Sequence, residues 1–295
     1  MEDENTAQNF GGPWTIMKLK TLEGYLNAYS NVLRNQPYQV VYIDGFAGDG
    51  RVLLGTDKDA AQLTLWPSLA QREIPGSAEL ACRQDRINHF LFIDTNRRHY
   101  SALVSITDNR ANMKSTVQIK TGDCNRILPL FLSTFNPDTL RGLAFLDPFG
   151  MQLEWDTLRT VAEVPGLDIW YWFSLEGVLR QAPRHRSKLT PDKQNSLDRV
   201  LPPSAWEDLY RGAPGFFQDQ GLESARERVE WRFVLQLVTD HLRSLFVEVL
   251  EPCVFPKVGA PRFALYFMMT NPDTRPRQIA TRIANSLLKG ARLST

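Results

Sequence analysis

The sequence predicts a doubly wound α/β fold with a mostly parallel, seven-stranded sheet, a C-terminal β-hairpin and a helical insertion after the fifth strand. Apolar, β-branched runs alternate along the chain with segments of helical periodicity. Strands that alternate with helices in this way form parallel sheets with right-handed crossovers. Near the C-terminus two apolar runs follow one another without a helix between them, which predicts the hairpin.

Each strand is predicted from an apolar run that ends at a turn residue. The run Tyr38–Asp44 is the first, and Asp168–Ser174 is apolar almost throughout, which is typical of a strand buried on both faces. The predicted strands cover residues 38–44, 89–94, 116–121, 142–147, 168–174, 246–250 and 262–270.

Apolar residues at helical spacing predict the helices. Leu19, Leu22 and Leu26 mark the first helix. Ser77 is the expected N-cap of the second, and Pro276 fits the first turn of the last. The predicted helices alternate with the strands. They cover residues 14–34, 77–86, 97–109, 126–133, 155–163 and 222–245, with a last helix near the C-terminus.

The chain length of 295 residues suits one large domain, predicted over residues 13–295 and preceded by a flexible polar arm, 1–12. Two insertions interrupt the alternation. Residues 51–75 show no clear period and contain prolines, which predicts a loop insertion, and loops of this length are often functional. Residues 176–220 are richer in proline, glycine and charge, and they predict an insertion of short helices and loops.

Composition excludes several classes of protein. The net charge of +1 argues neither for nor against a nucleic-acid partner. The three cysteines form no C-x-x-C pair, so no zinc or iron–sulfur site is expected, and their sparse use fits a reducing cytoplasm. Because no apolar run approaches the roughly 20 residues of a membrane helix and the acidic N-terminus lacks an apolar core, we expect a cytoplasmic protein without a membrane segment.

The most informative stretch follows the first predicted strand and reads Asp44-Gly45-Phe46-Ala47-Gly48-Asp49-Gly50. We call it the glycine turn. An acid and spaced glycines after a strand predict a tight turn that faces a ligand, because glycine lets the backbone approach closely and adopt positive φ. A nicotinamide enzyme would require G-x-G-x-x-G opening a helix, which this spacing does not fit, and no Walker motif is present.

Three further acids, Asp94, Asp123 and Asp147, also follow predicted strands. With Asp44 they form a set that we call the strand-end acids. Ligands of doubly wound sheets lie outside the carboxyl ends of the strands. Four carboxylates at one edge repel one another, so we expect a ligand rich in donors. Ribose hydroxyls, an adenine amine and a sulfonium cation would supply them.

This pattern resembles the class I S-adenosylmethionine-dependent methyltransferases, whose fold is Rossmann-like. The resemblance implies that the glycine turn wraps the methionine end of the cofactor, that Asp94 binds the ribose and that Asp123 meets the adenine amine. The implied cofactor-binding residues are Asp44, Gly45, Phe46, Ala47, Gly48, Gly50, Asp94, Asp123, Cys124 and Asn125. At Cys124 a small packing residue is the better interpretation than a redox-sensitive thiol.

A closer resemblance is to the three-Cys-motif partner (TcmP) family. It covers nearly the whole chain. The motifs that carry it are the Lys18–Tyr25 helix, the glycine turn with the strand before it, Pro75-Gly76-Ser77, Gly122-Asp123-Cys124-Asn125 and Phe145-Leu146-Asp147-Pro148-Phe149-Gly150. The resemblance implies a companion protein with a three-cysteine motif but no defined reaction. The acid of the second strand usually lies about 20 residues after the glycines in dinucleotide folds, and here residues 51–75 intervene, as a lid or as a block.

The tetrapeptide Asp147-Pro148-Phe149-Gly150 is either a plain strand-end turn or the catalytic pocket for an exocyclic amine. It is similar to the tetrapeptide of tRNA guanine-N2 methyltransferases. An amine conjugated to a ring is a poor nucleophile, and Asp147 with the following carbonyls would accept its N–H groups and stabilise developing positive charge. Pro148 would fix those carbonyls and Phe149 would stack on the base.

The densest basic stretch follows the fifth predicted strand, and it is either a solvated loop or a phosphate-binding surface. Its residues, with Ser77, form the expected substrate-binding set. That set is Ser77, Arg180, Arg184, Arg186 and Lys188. Trp170–Trp172 lies within a predicted buried strand, so we expect these aromatic side chains to pack in the core. The four histidines share no metal-like spacing and receive no role.

Three functions remain open from the sequence. The first is an S-adenosylmethionine-dependent N-methyltransferase acting on RNA or DNA, which would flip a base out of any duplex. The second is a methyltransferase fold without catalysis that serves the three-cysteine protein as a scaffold or specificity subunit, in a defence or mobile-element setting. The third is a metal-dependent nuclease, although acids spread over separate strand ends fit ribose and base contacts better than one compact ion.

Overall fold

A central mixed sheet organises the chain in a computed structural model that describes residues 13–53, 73–108, 115–210, 227–256 and 261–293. The strands are β1 (Gln39–Asp44), β2 (Arg51–Leu53), β3 (Glu73–Pro75), β4 (His89–Asp94), β5 (Thr116–Thr121), β6 (Leu140–Leu146), β7 (Leu167–Phe173), β8 (Glu248–Val249), β9 (Cys253–Phe255) and β10 (Phe263–Met269). The helices are α1 (Pro13–Val32), α2 (Ser77–Cys82), α3 (His99–Asp108), α4 (Cys124–Leu132), α5 (Trp155–Ala162), α6 (Leu175–Gln181), α7 (Pro191–Val200), α8 (Trp231–Leu245) and α9 (Thr274–Leu293).

The order of strands across the sheet is β5-β4-β1-β6-β7-β10-β8, and β9 also pairs with β10. The first five of these strands run parallel, and β10 is antiparallel to β7, β8 and β9. The predicted fold class, a class I methyltransferase-like sheet with an antiparallel C-terminal edge, is confirmed. The sheet has eight strands rather than the seven predicted, because the predicted strand 246–250 is shortened to β8 and the additional strand β9 pairs with the same edge of β10.

Two apolar layers cover the sheet. Successive residues of a strand point to opposite faces. On β1, Val41 and Ile43 therefore pack with α4 to α8, whereas Val40 and Tyr42 pack with α1, α2, α3 and α9. Every residue of β7 is buried, as expected for a central strand, and Trp170–Trp172 packs in the core as predicted.

Several predicted boundaries need correction. The helix expected over 222–245 begins at Trp231, because Glu227–Glu230 is not helical; residues 222–226 lie outside the described ranges. Ser77 is not an N-cap, since Gly76 occupies the cap position and the helix ends at Cys82 rather than near residue 86. By contrast, α4 begins two residues early because the Asp123 carboxylate caps it by accepting a hydrogen bond from the amide of Asn125.

The two predicted insertions are described in part. The ends of the 51–75 segment pair as the antiparallel strands β2 and β3, which the sequence did not predict; residues 54–72 lie outside the described ranges. Within 176–210 the chain forms α6, α7 and two 3₁₀ turns, Arg186–Lys188 and Ala205–Tyr210. The N-terminal arm, 1–12, also lies outside the described residues. No helix in the described ranges is long and apolar enough to span a membrane.

A buried carboxylate sits at the opposite edge of the sheet from the strand-end acids. Asp168, near the start of β7, accepts a hydrogen bond of 2.6 Å from the Tyr25 hydroxyl of α1. Burial raises the pKa of Asp168 to about 7, although the Tyr25 bond and the charge of Arg141 act in the other direction. Between pH 3.8 and about pH 7, the Asp168 carboxyl of the folded state therefore keeps a proton that the unfolded chain has already released.

Because the folded pKa of Asp168 is raised, its contribution to stability is complete below about pH 4 and is lost as the pH rises towards 7. We expect the free energy of unfolding of the wild type to fall between about pH 4.5 and about pH 7.5 as the Asp168 contribution is lost. In Asp168→Asn, whose amide oxygen still accepts the Tyr25 bond, this fall should be smaller by about 1–3 kcal/mol. Urea unfolding across this range measures the difference. Parallel stability curves for the two proteins would contradict the assignment.

Candidate functional site

The carboxyl ends of β1, β4, β5 and β6 meet at one edge of the sheet, as parallel strands require. Asp44 closes β1 and pairs in register with Phe92 of β4 and Phe145 of β6. Asp94 closes β4, Asp123 follows β5 and Asp147 follows β6. The structure thus brings the strand-end acids to one edge, in the spatial order Asp123, Asp94, Asp44, Asp147.

Asp44 is completely buried at the centre of this row. Its carboxylate accepts hydrogen bonds from the Phe46 amide at 3.3 Å, from the Tyr42 hydroxyl at 3.2 Å and from the Ser77 hydroxyl. Burial raises the pKa of Asp44 to about 7, the charge of Asp147 raises it further, and the three hydrogen bonds oppose the shift. A cation bound nearby would offset the cost of ionising this group.

The glycine turn packs closely against the neighbouring strands. A Cβ atom at Gly45 would lie 2.9 Å from both Cys124 Sγ and Leu146 Cδ2, so any larger residue would force these two side chains to shift. Gly48 has a φ of +59° and donates its amide to Asp94 Oδ2 at 2.9 Å. The Ala47 amide donates to the Ile93 carbonyl at 2.9 Å. These bonds fix the turn to the end of β4.

Asp94 is held by more partners than the sequence indicated. Its Oδ1 accepts the Asn96 amide at 2.7 Å and lies 2.9 Å from Nδ1 of His99, while Oδ2 accepts the amide of Gly48. His99, at the start of α3, received no role in the sequence analysis. A ligand hydroxyl would therefore bind Asp94 at Oδ2, or at Oδ1 in place of His99.

Asp123 and Asn125 join α4 to the segment after β6. Oδ1 of Asp123 accepts the Asn125 amide at 2.9 Å and its side-chain Nδ2 at 3.0 Å. Asn125 in turn donates to the Gln152 carbonyl and accepts from the Glu154 amide and the Thr157 hydroxyl. Asn125 therefore positions the segment that carries Asp147, and Asp123 retains an exposed carboxylate.

Cys124 is buried against the glycine turn. Burial raises the pKa of its thiol to about 12, and the charges of Asp123 and Asp44 add to the shift. A thiol that stays protonated at neutral pH is unreactive, which agrees with its interpretation as a small packing residue.

Asp147 forms an ion pair that the sequence analysis missed. Lys18 Nζ of α1 donates a hydrogen bond to Asp147 Oδ2. The Lys18 side chain is 9% exposed and that of Asp147 is 23% exposed. The same ammonium lies 4.8 Å from the ring centre of Trp172. One signal was available, because Lys18 lies one turn before Leu22 on the apolar face of the first helix, where a charge needs a partner.

The rest of the tetrapeptide differs in exposure. Pro148 is buried, Gly150 adopts a φ of +66°, and the Phe149 side chain is 66% exposed. An exposed aromatic ring beside Asp147 is compatible with the predicted stacking on a base, which remains a prediction.

The expected substrate-binding residues lie in two places. Ser77 is buried and bonded to Asp44. The basic stretch makes its own local contacts: Arg184 pairs with Glu227 at 3.2 Å, and the Arg186 guanidinium lies 6.0 Å from the ring centre of Trp206. Arg180 lies in the last turn of α6 and Lys188 ends a 3₁₀ turn, and both are exposed. Their role in substrate binding remains a prediction.

No protein-family model matches this sequence, and no curated protein matches it. Several solved structures align with this chain at low identity. Protein LPL1258 from Legionella pneumophila, of family DUF519, aligns over 90% of this chain and 90% of its own, at 12% identity and a TM-score of 0.49. Trm1 from Pyrococcus horikoshii, solved with S-adenosyl-L-methionine, aligns over 92% of this chain and 58% of its own, at 11% identity and a TM-score of 0.41. Human methyltransferase-like protein 13, solved with SAH, aligns over 93% and 92%, at 9% identity and a TM-score of 0.41.

The contact between Gly45 and Cys124 predicts a measurable coupling. We expect Gly45→Ala to lower the free energy of unfolding by about 1–3 kcal/mol, because the new methyl group overpacks the turn. Cys124→Ala removes one of the two contacted atoms, so the double variant should lose less stability than the sum of the single variants. Denaturant unfolding of all four proteins measures this, and additive losses would contradict the packing described.

Proposed function

We propose that this chain is an S-adenosylmethionine-dependent methyltransferase that transfers the methyl group to an exocyclic nitrogen of a nucleic-acid base. The observation that carries the proposal is the row of strand-end acids around the glycine turn, with the ion-paired Asp147 at its end. The surroundings of Asp123, Asp94 and Asp44 suit different parts of such a cofactor, and those of Asp147 suit the acceptor.

The residues present fit the cofactor. Asp123 offers an exposed carboxylate to an adenine amine, and Asp94 offers Oδ2 to a ribose hydroxyl. The glycine turn offers backbone without side chains at Gly48, where an added Cβ would meet nothing within 4 Å. Asp44 is a buried acid with a pKa near 7, which a neighbouring sulfonium or ammonium would stabilise in its charged form.

When bound, the cofactor would supply an electrophilic methyl group and would leave as S-adenosylhomocysteine when its carbon–sulfur bond breaks. Asp147 accepts an N–H bond of the acceptor amine, which localises the nitrogen lone pair for attack, and takes up the proton that the methylated nitrogen releases. Pro148 fixes the backbone carbonyl that follows. Lys18 holds the Asp147 carboxylate in one orientation and neutralises its charge beside Asp44. Most of the rate gain comes from placing two reactants in line, worth up to about 7–11 kcal/mol.

A second function is favoured by a specific observation. Asp147 is bonded to Lys18, and Asp94 to His99, so two of the strand-end acids already have partners within the chain. A methyltransferase fold that serves a three-Cys-motif protein as a scaffold, without catalysing transfer, would have acids that are already occupied in this way. For both functions we propose a three-Cys-motif protein as the partner, because the sequence motifs of this chain resemble those of the TcmP family.

The role of Asp147 is tested by Asp147→Ala. We expect it to leave S-adenosylmethionine affinity unchanged and to reduce transfer by about 10²-fold or more, because the amine loses its acceptor. The measurement is incorporation of tritiated methyl groups from the cofactor into total RNA and denatured DNA, beside calorimetric titration of the cofactor.

Lys18→Arg is the matched control, since it keeps the positive charge next to Asp147, and it should retain more transfer than Lys18→Met. Loss of cofactor binding and transfer together in Asp147→Ala would contradict its assignment to the acceptor. Wild-type protein that binds cofactor but transfers nothing, with or without the partner, would favour the scaffold.

A further inference from the structure

Three elements meet at the edge of the sheet next to Asp147: the first turns of α1, the end of β7 and the start of β10. Because β10 runs antiparallel to β7, with Ala264 opposite Phe173, the start of β10 lies at the carboxyl end of β7. This is the edge that carries the strand-end acids. None of the residues of β10 was part of the predicted site.

Aromatic side chains form a continuous row across these elements. The Trp172 ring stacks on Phe263, with centres 5.1 Å apart and planes 27° apart. Phe263 lies 6.2 Å from Trp14. At the other end, Trp172 lies beneath Lys18, which is bonded to Asp147. The row therefore leads from the acceptor carboxylate through a buried ring to two partly exposed ones.

Arg262 lies over the exposed end of the row. Its guanidinium carbon is 5.4 Å from the ring centre of Trp14 and 5.6 Å from that of Phe263. Its Nε donates to Glu176 at 2.6 Å, and the side chain is 45% exposed. An arginine anchored at Nε keeps four N–H donors, which suit a phosphate, and a flat cation on aromatic rings is typical of surfaces that stack bases.

We propose that Trp14, Phe263 and Arg262 form a subsite for a nucleotide flanking the target base in single-stranded nucleic acid. This inference rests on the proposed function. The partly exposed rings stack on the flanking base and Arg262 binds a backbone phosphate, while the target base lies at Asp147. The order of contacts, from reacting carboxylate to aromatic surface to guanidinium, matches the order of target base, neighbouring base and phosphate.

The chain offers a matched control. On α8 Trp231 carries the same pairing, with the Arg232 guanidinium carbon 4.5 Å from its ring centre. Trp231 packs against the apolar layer on the opposite face of the sheet from Trp14 and Phe263. A general affinity of tryptophan–arginine pairs for oligonucleotides would therefore respond equally to changes at Trp14 and at Trp231.

The experiment is fluorescence anisotropy of fluorescein-labelled single-stranded 12-nucleotide RNA and DNA of mixed sequence, titrated with the full chain. We expect Trp14→Ala to weaken binding by roughly five- to a hundredfold, the range for the loss of one stacked base, and Trp231→Ala to leave it unchanged. Arg262→Gln should lower the dependence of affinity on salt by about one phosphate contact. Trp14→Phe, which keeps a ring, should retain most binding, and it covers the case in which Trp14→Ala does not fold.

Unchanged binding in folded Trp14→Ala, or equal losses at Trp14 and Trp231, would overturn the subsite. A wild-type protein that binds S-adenosylmethionine but neither oligonucleotide would also overturn the subsite. That result would leave the proposed cofactor site intact. The opposite result is a protein that binds oligonucleotides through Trp14 but does not bind the cofactor. It would contradict the methyltransferase proposal and support the nucleic-acid-binding surface. A preference for RNA or DNA in the two arms identifies the class of acceptor.

Discussion

The sheet forces four carboxylates to one edge, and the arrangement of the site depends on how their charges are accommodated. The carboxyl ends of parallel strands lie at the same edge of a sheet, so the acids at the ends of β1, β4, β5 and β6 lie together there. The surroundings of the four carboxylates differ. Asp44 is buried with a raised pKa, Asp94 contacts an imidazole, Asp123 caps a helix, and Asp147 receives an ammonium.

The surroundings of the acids also differ between the two sides of this edge of the sheet. Asp123 and Asp94 lie on the β5–β4 side, bonded mainly to backbone amides of the turns around them. Asp147 lies on the β6–β7 side, where α1 supplies Lys18 and the aromatic row begins. Asp44 stands between, close enough for the charge of Asp147 to affect its pKa. A cofactor on one side and an acceptor on the other would meet over the glycine turn.

The parts of this picture that follow from local sequence could be predicted. Alternating apolar runs and helical periods predicted the succession of strands and helices and the mostly parallel sheet, and the acids were found because each ends a strand. Contacts between distant segments could not be predicted. Lys18 reaches Asp147 across 129 positions, and Arg262 reaches Glu176 across 86, through packing that no local pattern specifies. The early start of α4 was missed because the Asp123 side chain caps the helix, and the cap of α2 was misassigned because the Ser77 hydroxyl bonds to Asp44 rather than to the helix.

Calorimetric titration of the purified chain with S-adenosylmethionine and S-adenosylhomocysteine, with Asp94→Ala as the control, tests the central claim most directly. We expect micromolar binding to the wild-type chain, and we expect Asp94→Ala to lose it because no carboxylate then receives the ribose. Absence of binding to the folded wild-type protein, or binding that Asp94→Ala leaves intact, would contradict a cofactor site at the strand-end acids.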